Sequence, residues 1–195
     1  MPPAHYALSE ILIVLVSIYS LTTFYKERQF YSFAGVFLIS CAALIASVRF
    51  GINYQSELKS FHQLLSAISL LFGVPLIVLE TIRRSGIFRE KSILIFLVIV
   101  TLIGLLVMFY AKNLLILVAL YWLIIGTVIA TFIHRKNLLF RLLSGIFFSI
   151  IIFNLAIRRS DLFEPALGWH IYHIGIAVWL YQLTKILTQK DFKYV

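Results

Sequence analysis

Apolar residues run along this chain in blocks of about twenty, each ended by a short polar or charged break, and within a block they cover every helical face. About twenty such residues span the hydrocarbon layer of a bilayer as a helix, so the pattern predicts transmembrane helices. Seven are expected: Leu8–Tyr25, Phe30–Phe50, Phe61–Glu80, Ser92–Tyr110, Leu114–Ile133, Leu138–Ile157 and Ala166–Leu187. The apolar stretch from Ile93 to Ile133 is too long for one crossing, and Lys112-Asn113 divides it into a helical hairpin. Strict alternation of apolar and polar residues is missing, which disfavours a transmembrane β-barrel. The expected fold is an all-α, polytopic, seven-helix bundle, with residues 1–195 forming a single transmembrane domain.

Composition agrees with that pattern. Hydrophobic residues make up 62% and charged residues 13% of the chain, at a mean hydropathy of +0.99, where soluble domains are about one quarter charged. The net charge of +9 does not point to nucleic acid, because Lys and Arg fall between or at the edges of the apolar blocks. Counted by loop, twelve of them share the cytoplasmic side and five the other if the amino terminus is outside. The positive-inside rule therefore predicts amino terminus out and carboxyl terminus in. No Lys or Arg precedes the first block, whereas Lys26 and Arg28 follow it, the reverse of a cleavable signal. It is expected to be the first permanent helix. Pro75, two residues after Gly73, predicts a kink in the third helix.

Candidate chemistry gathers at the predicted outer level. His62 opens the third helix from that side, and His170 and His173 lie in the first turns of the seventh. Glu10, Arg49, Asn53, Glu57, Asn113, Asn154, Arg158, Arg159, Asp161 and Glu164 fall near the same depth, while His134 lies at the opposite face and His5 precedes the first helix. The fourth and fifth helices carry almost nothing polar and read as lipid-facing scaffold. Ionisable groups near hydrocarbon usually face the bundle interior with a partner. His170 and His173, three residues apart, share roughly one helical face. With His62 they offer three neutral imidazoles, a ligand set known for catalytic zinc, whose bound water becomes hydroxide near neutral pH.

Other readings of the same residues stay open. Trp169, His170, Tyr172 and His173 also suit interfacial anchoring by amphipathic rings, and His62 with His173 could be axial haem ligands. Glu57 is a candidate general base or second-shell partner of His62, or a solvated loop carboxylate. Arg158, Arg159, Asp161 and Glu164 form either a phosphate-binding rim or a self-neutralising loop. Glu80 with Arg83 and Arg84 reads as an anchor at the inner interface. Cys41 stands alone, which excludes intrachain disulfides, zinc–thiolate knots and iron–sulfur clusters. No phosphate-cradling glycine loop, HExxH pair, GxSxG elbow or dinucleotide fingerprint is present. Lys185 falls too near the inner end of its helix for a retinal Schiff base.

The run Trp169-His170-Ile171-Tyr172-His173-Ile174-Gly175-Ile176-Ala177-Val178-Trp179-Leu180-Tyr181 resembles the last helix of the alkaline ceramidase and adiponectin-receptor superfamily. It is similar also to that of uncharacterised bacterial seven-helix proteins, a likeness that implies no activity. The first resemblance implies a zinc-dependent lipid amide hydrolase in which His173, followed by Tyr181, maps best. His170 is offset by one residue, because the family pair is spaced by four, and His62 is loosely placed. The family's serine and aspartate have no clean counterpart: Ser47 is only loosely placed, and no Asp lies nearby.

The leading expectation is accordingly a membrane-embedded, metal-dependent hydrolase of a lipid-like amide or ester near the outer leaflet. Zinc would sit on His62, His170 and His173 with Glu57 handling protons, and the partners would be membrane lipids rather than nucleic acid. The alternative is a non-enzymatic membrane protein, such as a small-solute carrier or partner subunit, whose polar cluster lines a cavity. A bacterial inner (plasma) membrane is the expected location.

Overall fold

The computed structural model describes residues 4–52, 54–86, 88–133, 138–159 and 162–188, with the side chains of 90, 132–133, 138–141 and 159 outside that description. Asn53, Asp161, His134, Arg135, Lys136, Lys190 and Lys193 lie outside the described residues, as does the side chain of Arg159.

The described residues are predominantly helical, with short turns between the helices and no strand among them. In chain order the helices are α1 (Tyr6–Lys26), α2 (Phe30–Gly51), α3 (Lys59–Ser85), α4 (Glu90–Tyr110), α5 (Leu115–Ile133), α6 (Leu138–Arg159) and α7 (Pro165–Thr188). Among the described residues five stretches are long and apolar enough to cross a membrane: α1, α2, α3, Lys91–Tyr110 and Lys112–Thr131. A shorter apolar stretch, Leu142–Arg158, runs through α6. α7 is longer but mixes His, Tyr, Gln, Thr and Lys among its apolar positions. Leu, Ile, Val and Phe side chains are exposed along the outside of several of these helices, as Leu15, Leu94, Leu106 and Leu117 are. That surface suits lipid and supports an integral membrane protein.

Packing closes the bundle into a ring. α1 packs on α2, α2 on α3, α3 on α5, α5 on α6, α6 on α7, and α7 returns to α1. α4 stands outside this ring and touches mainly α3. The expectation of lipid-facing scaffold thus describes α4 but not α5, whose Trp122, Leu123 and Ala130 are buried in the core.

α2 and α3 come closest where two glycines meet. A Cβ on Gly35 would stand 2.5 Å from the Gly73 carbonyl oxygen and 2.8 Å from Ile77 Cγ1, so only glycine allows the two backbones to touch there. In lipid, where apolar surface is buried either way, such close backbone packing carries much of helix association.

α3 is interrupted at Ser69–Gly73 by one wide π turn, in which the Val74 amide donates to the Ser69 carbonyl. Pro75 has no amide hydrogen and its ring would collide with the carbonyl four residues back, so the chain relieves the clash by widening. The predicted Pro75 irregularity is therefore an inserted residue. Ser69 Oγ lies 2.8 Å from both the Leu65 carbonyl oxygen of its own helix and the Leu38 carbonyl oxygen of α2. α3 also runs five residues beyond Glu80, the predicted end of this span, and stops at Gly86, which takes the left-handed conformation (φ 65°) that favours glycine. Glu80 is fully buried and paired with Arg83 and Arg84, which lie in the last turn of α3.

Candidate functional site

The ring surrounds a partly open cavity of about 140 Å³. Each ring helix contributes apolar wall: Ile13 from α1, Ala43 from α2, Leu70 from α3, Leu123 from α5, Ile151 from α6 and Ile176 from α7. Its polar wall is Glu10, His62, Ser66, Ser69, Tyr172 and His173. Glu10 and His173 are 2% and 7% exposed, and a carboxyl group so far from water is costly without a partner. The partner is at hand, since His173 Nε2 stands 3.0 Å from Glu10 Oε1.

His173 is held on all sides. Its Nδ1 donates to the Trp169 carbonyl oxygen at 2.7 Å, and that carbonyl one turn earlier can only accept. The proton on Nδ1 is thereby fixed, and Nε2 is the nitrogen that faces Glu10. Trp169 also stacks on the imidazole with ring centroids 4.2 Å apart, and Tyr6 stacks on Trp169 at 4.8 Å. A column of three rings from α1 and α7 fixes the histidine. One proton on either Nε2 or the carboxyl group suffices to join the pair, and Glu10 Oε1 accepts no other hydrogen bond among the described residues.

His62 enters the cavity wall in the opposite tautomer. Arg49 Nη1 lies 3.0 Å from His62 Nδ1, and guanidinium can only donate, so Nδ1 accepts and the proton sits on Nε2. Arg49 is itself braced by donation from Nε to the Gln55 carbonyl oxygen at 3.0 Å and by the Phe50 ring, whose centroid lies 5.0 Å from its guanidinium carbon. His62 therefore presents an N–H donor with no lone pair left for a metal.

His170 takes a different face of α7. Its Nδ1 lies 3.1 Å from Ser9 Oγ, and its ring packs 5.1 Å from that of His5. Three residues turn a helix by about 300°, and the missing 60° or so is enough to send the two histidines to neighbouring faces. Glu57 is exposed on the α2–α3 connection, where Ser56 Oγ donates to its Oε2 at 2.8 Å. Hydrogen bonds from its own backbone amide and then from Ser56 hold that carboxyl below the ordinary glutamate range.

The structure thus brings His62 and His173 to one cavity and leaves His170 and Glu57 off its wall. Among the described residues no three His, Cys, Asp or Glu side chains gather as a metal-holding group, and the His62 tautomer does not suit ligation as it stands. Glu10 and Arg49 are the additions that sequence reasoning placed at the right depth without assigning a role. The available signal was Glu10's position as the only carboxylate inside the first apolar block. Asn154, buried on α6, donates from Nδ2 to the Tyr172 carbonyl oxygen at 2.5 Å and ties α6 to the site helix.

Comparison with protein-family models, curated proteins and solved structures finds no match. The functional reading rests on the residues alone.

Proposed function

We propose that this protein is a membrane-embedded binding protein for a small amphiphilic molecule, received in the outer half of the bilayer with its polar group against the Glu10–His173 pair. The observation that carries this reading is an apolar cavity inside a closed helix ring whose polar groups cluster around one acid–base pair. Pockets for small molecules have this make-up, mostly apolar with a few placed polar groups, and intramembrane ionisable residues mark ligand or proton pathways. The reading takes all seven helices as crossings, with amino terminus out and carboxyl terminus in by the Lys and Arg distribution, in a bacterial plasma membrane. In that frame the Glu10–His173 pair lies in the outer half of the bilayer.

The test is saturable thermal stabilisation of detergent-purified protein by 1-hexanol. Stabilisation is expected in the wild type and absent in Ala43→Leu, which fills the cavity. Equal stabilisation of both proteins would overturn the reading.

A second reading, metal-assisted hydrolysis of a lipid-like amide or ester, draws on the 3.0 Å approach of His173 Nε2 to Glu10 Oε1, two atoms close enough to share one ion. Zinc held there would supply hydroxide, but His62 could join only after Arg49 released Nδ1. Stoichiometric zinc that disappears in His173→Ala would favour this second reading.

A further inference from the structure

α3 changes neighbours along its length. Val74–Ser85 and the wide turn before it pack on α5, whereas Lys59–Ile68 packs on α2 and has no comparable contact with α5. Two polar ties hold that first part to α2: Ser69 Oγ at the Leu38 carbonyl oxygen and Arg49 Nη1 at His62 Nδ1. No residue of Lys59–Ile68 is buried, while most of Val74–Ser85 is. The ring therefore closes between α3 and α5 over the half of α3 that carries Glu80, and at the Glu10 end the two helices part.

The parting is a cleft of about 290 Å³, lined by Leu70 of α3, Ile116 and Ala119 of α5, Leu155 and Arg158 of α6 and Tyr172 of α7. Leu70, Leu155 and Tyr172 also line the central cavity and so divide the two spaces. Roughly twice the volume that takes a benzene ring is available, against a wall that is mainly aliphatic. Its one charged residue is Arg158, exposed in the last turn of α6 and about 4.5 Å beyond Leu155 along the helix. The guanidinium carbon lies 5.5 Å from the centre of the Trp169 ring, which is itself stacked with Tyr6 and His173. Aromatic contact of this kind steadies a cation without neutralising it. Basic residues beside clefts between transmembrane helices bind lipid headgroups, and guanidinium matches phosphate through paired hydrogen bonds.

We propose that this cleft binds an acidic phospholipid of the leaflet on the Glu10 side, with the phosphate on Arg158 and the start of one acyl chain against Leu70, Ile116 and Ala119. The site is separate from the small-molecule pocket and does not depend on it. A lipid is the occupant because the cleft lies between two helices long and apolar enough to cross a membrane, which expose Leu64 and Leu117 at the same end. Long cationic side chains at helix ends also reach interfacial water unaided, and an arginine doing only that would not select among lipids.

The protein is purified in detergent and given equimolar phosphatidylglycerol and phosphatidylcholine with identical acyl chains, and the lipid it retains is counted by native mass spectrometry. Phosphatidylglycerol is expected to be retained about fivefold over phosphatidylcholine, the worth of one cation beside a headgroup. Arg158→Gln should bring the ratio within twofold. Lys112→Gln removes an equal charge from the exposed α4–α5 turn and should leave the ratio unchanged. Ile116→Trp keeps the arginine but fills the cleft, and should release both lipids. An unchanged ratio in Arg158→Gln, or equal losses in the two charge variants, overturns the site. Displacement of the retained lipid by a millimolar excess of inorganic phosphate overturns the lipid as occupant in favour of a free anion.

Discussion

The two ends of the helix ring bury comparable polarity and use it differently. At the end away from Glu10, Thr184 Oγ1 donates to Ser20 Oγ at 2.8 Å, Ser20 passes its own proton to the Val16 carbonyl oxygen at 3.0 Å, and Gln29 Nε2 reaches the Leu187 carbonyl oxygen at 2.8 Å. Glu80 is held there by Arg83 and Arg84. The Thr184–Ser20 bond joins helix to helix and the Gln29–Leu187 bond joins turn to helix, within a packed core that includes Leu183 and Leu187. At the Glu10 end the pairs stand around space. Burial of polar atoms is thus no mark of a site by itself; burial beside an unfilled volume is.

Substitutions at the two ends should therefore separate stability from binding. The largest loss of stability is expected for Glu80→Ala, which leaves two arginines unpaired at the packed end. Breaking a buried pair costs about 3–5 kcal/mol, here towards the lower figure because Arg83 is partly exposed. Denaturation in mild detergent would report it, and a change below about 1 kcal/mol would show that this end is not closed by charge pairing. Gly35→Ala should cost about 1–3 kcal/mol by forcing α2 from α3, measured in the same way.

At the cavity end the expected loss is of ligand. His173→Ala and Glu10→Ala should each weaken 1-hexanol about tenfold, whereas His170→Ala should stay within twofold. An equal effect of both histidines would return His170 to the site. The smallest effects bracket these: Thr184→Val should cost about 1 kcal/mol through one lost hydrogen bond with hexanol affinity unchanged. Glu57→Gln should alter stability by less than about 0.5 kcal/mol, as exposed substitutions do.

Much of the architecture was legible because lipid imposes a length and a polarity on each span. The predicted Phe30–Phe50 block is one residue short of the observed helix, and the division at Lys112-Asn113 falls on the short 3₁₀ turn Lys112–Leu114. The buried role of α5 was not legible. Its apolar residues cover every face, so hydropathy cannot tell which of them meet protein and which meet lipid. The end of α3 was missed by five residues for a related reason, since a helix continuing through two arginines is indistinguishable in composition from one that ends beside them.

At the site, depth could be read and direction could not. Helix polarity placed Glu10, His62 and His173 at one level, yet the choice between His170 and His173 depended on a rotation of about 60° that no composition records. Arg49 was equally hidden, because its effect is exerted through a ring nitrogen of His62 thirteen residues later.

The wide turn at Ser69–Gly73 also sets an angular index between the two halves of α3. One extra residue turns what precedes it by about 100° relative to a regular helix, so the face that carries His62 and the face that carries Glu80 are clocked independently. Removing a single residue from that turn would restore an even pitch and swing the imidazole away from the carboxyl group on α1, while the arginine-clasped end kept its alignment. The bulge works as a gear tooth, and the length of that one loop of helix decides whether the two halves of the molecule address the same interior.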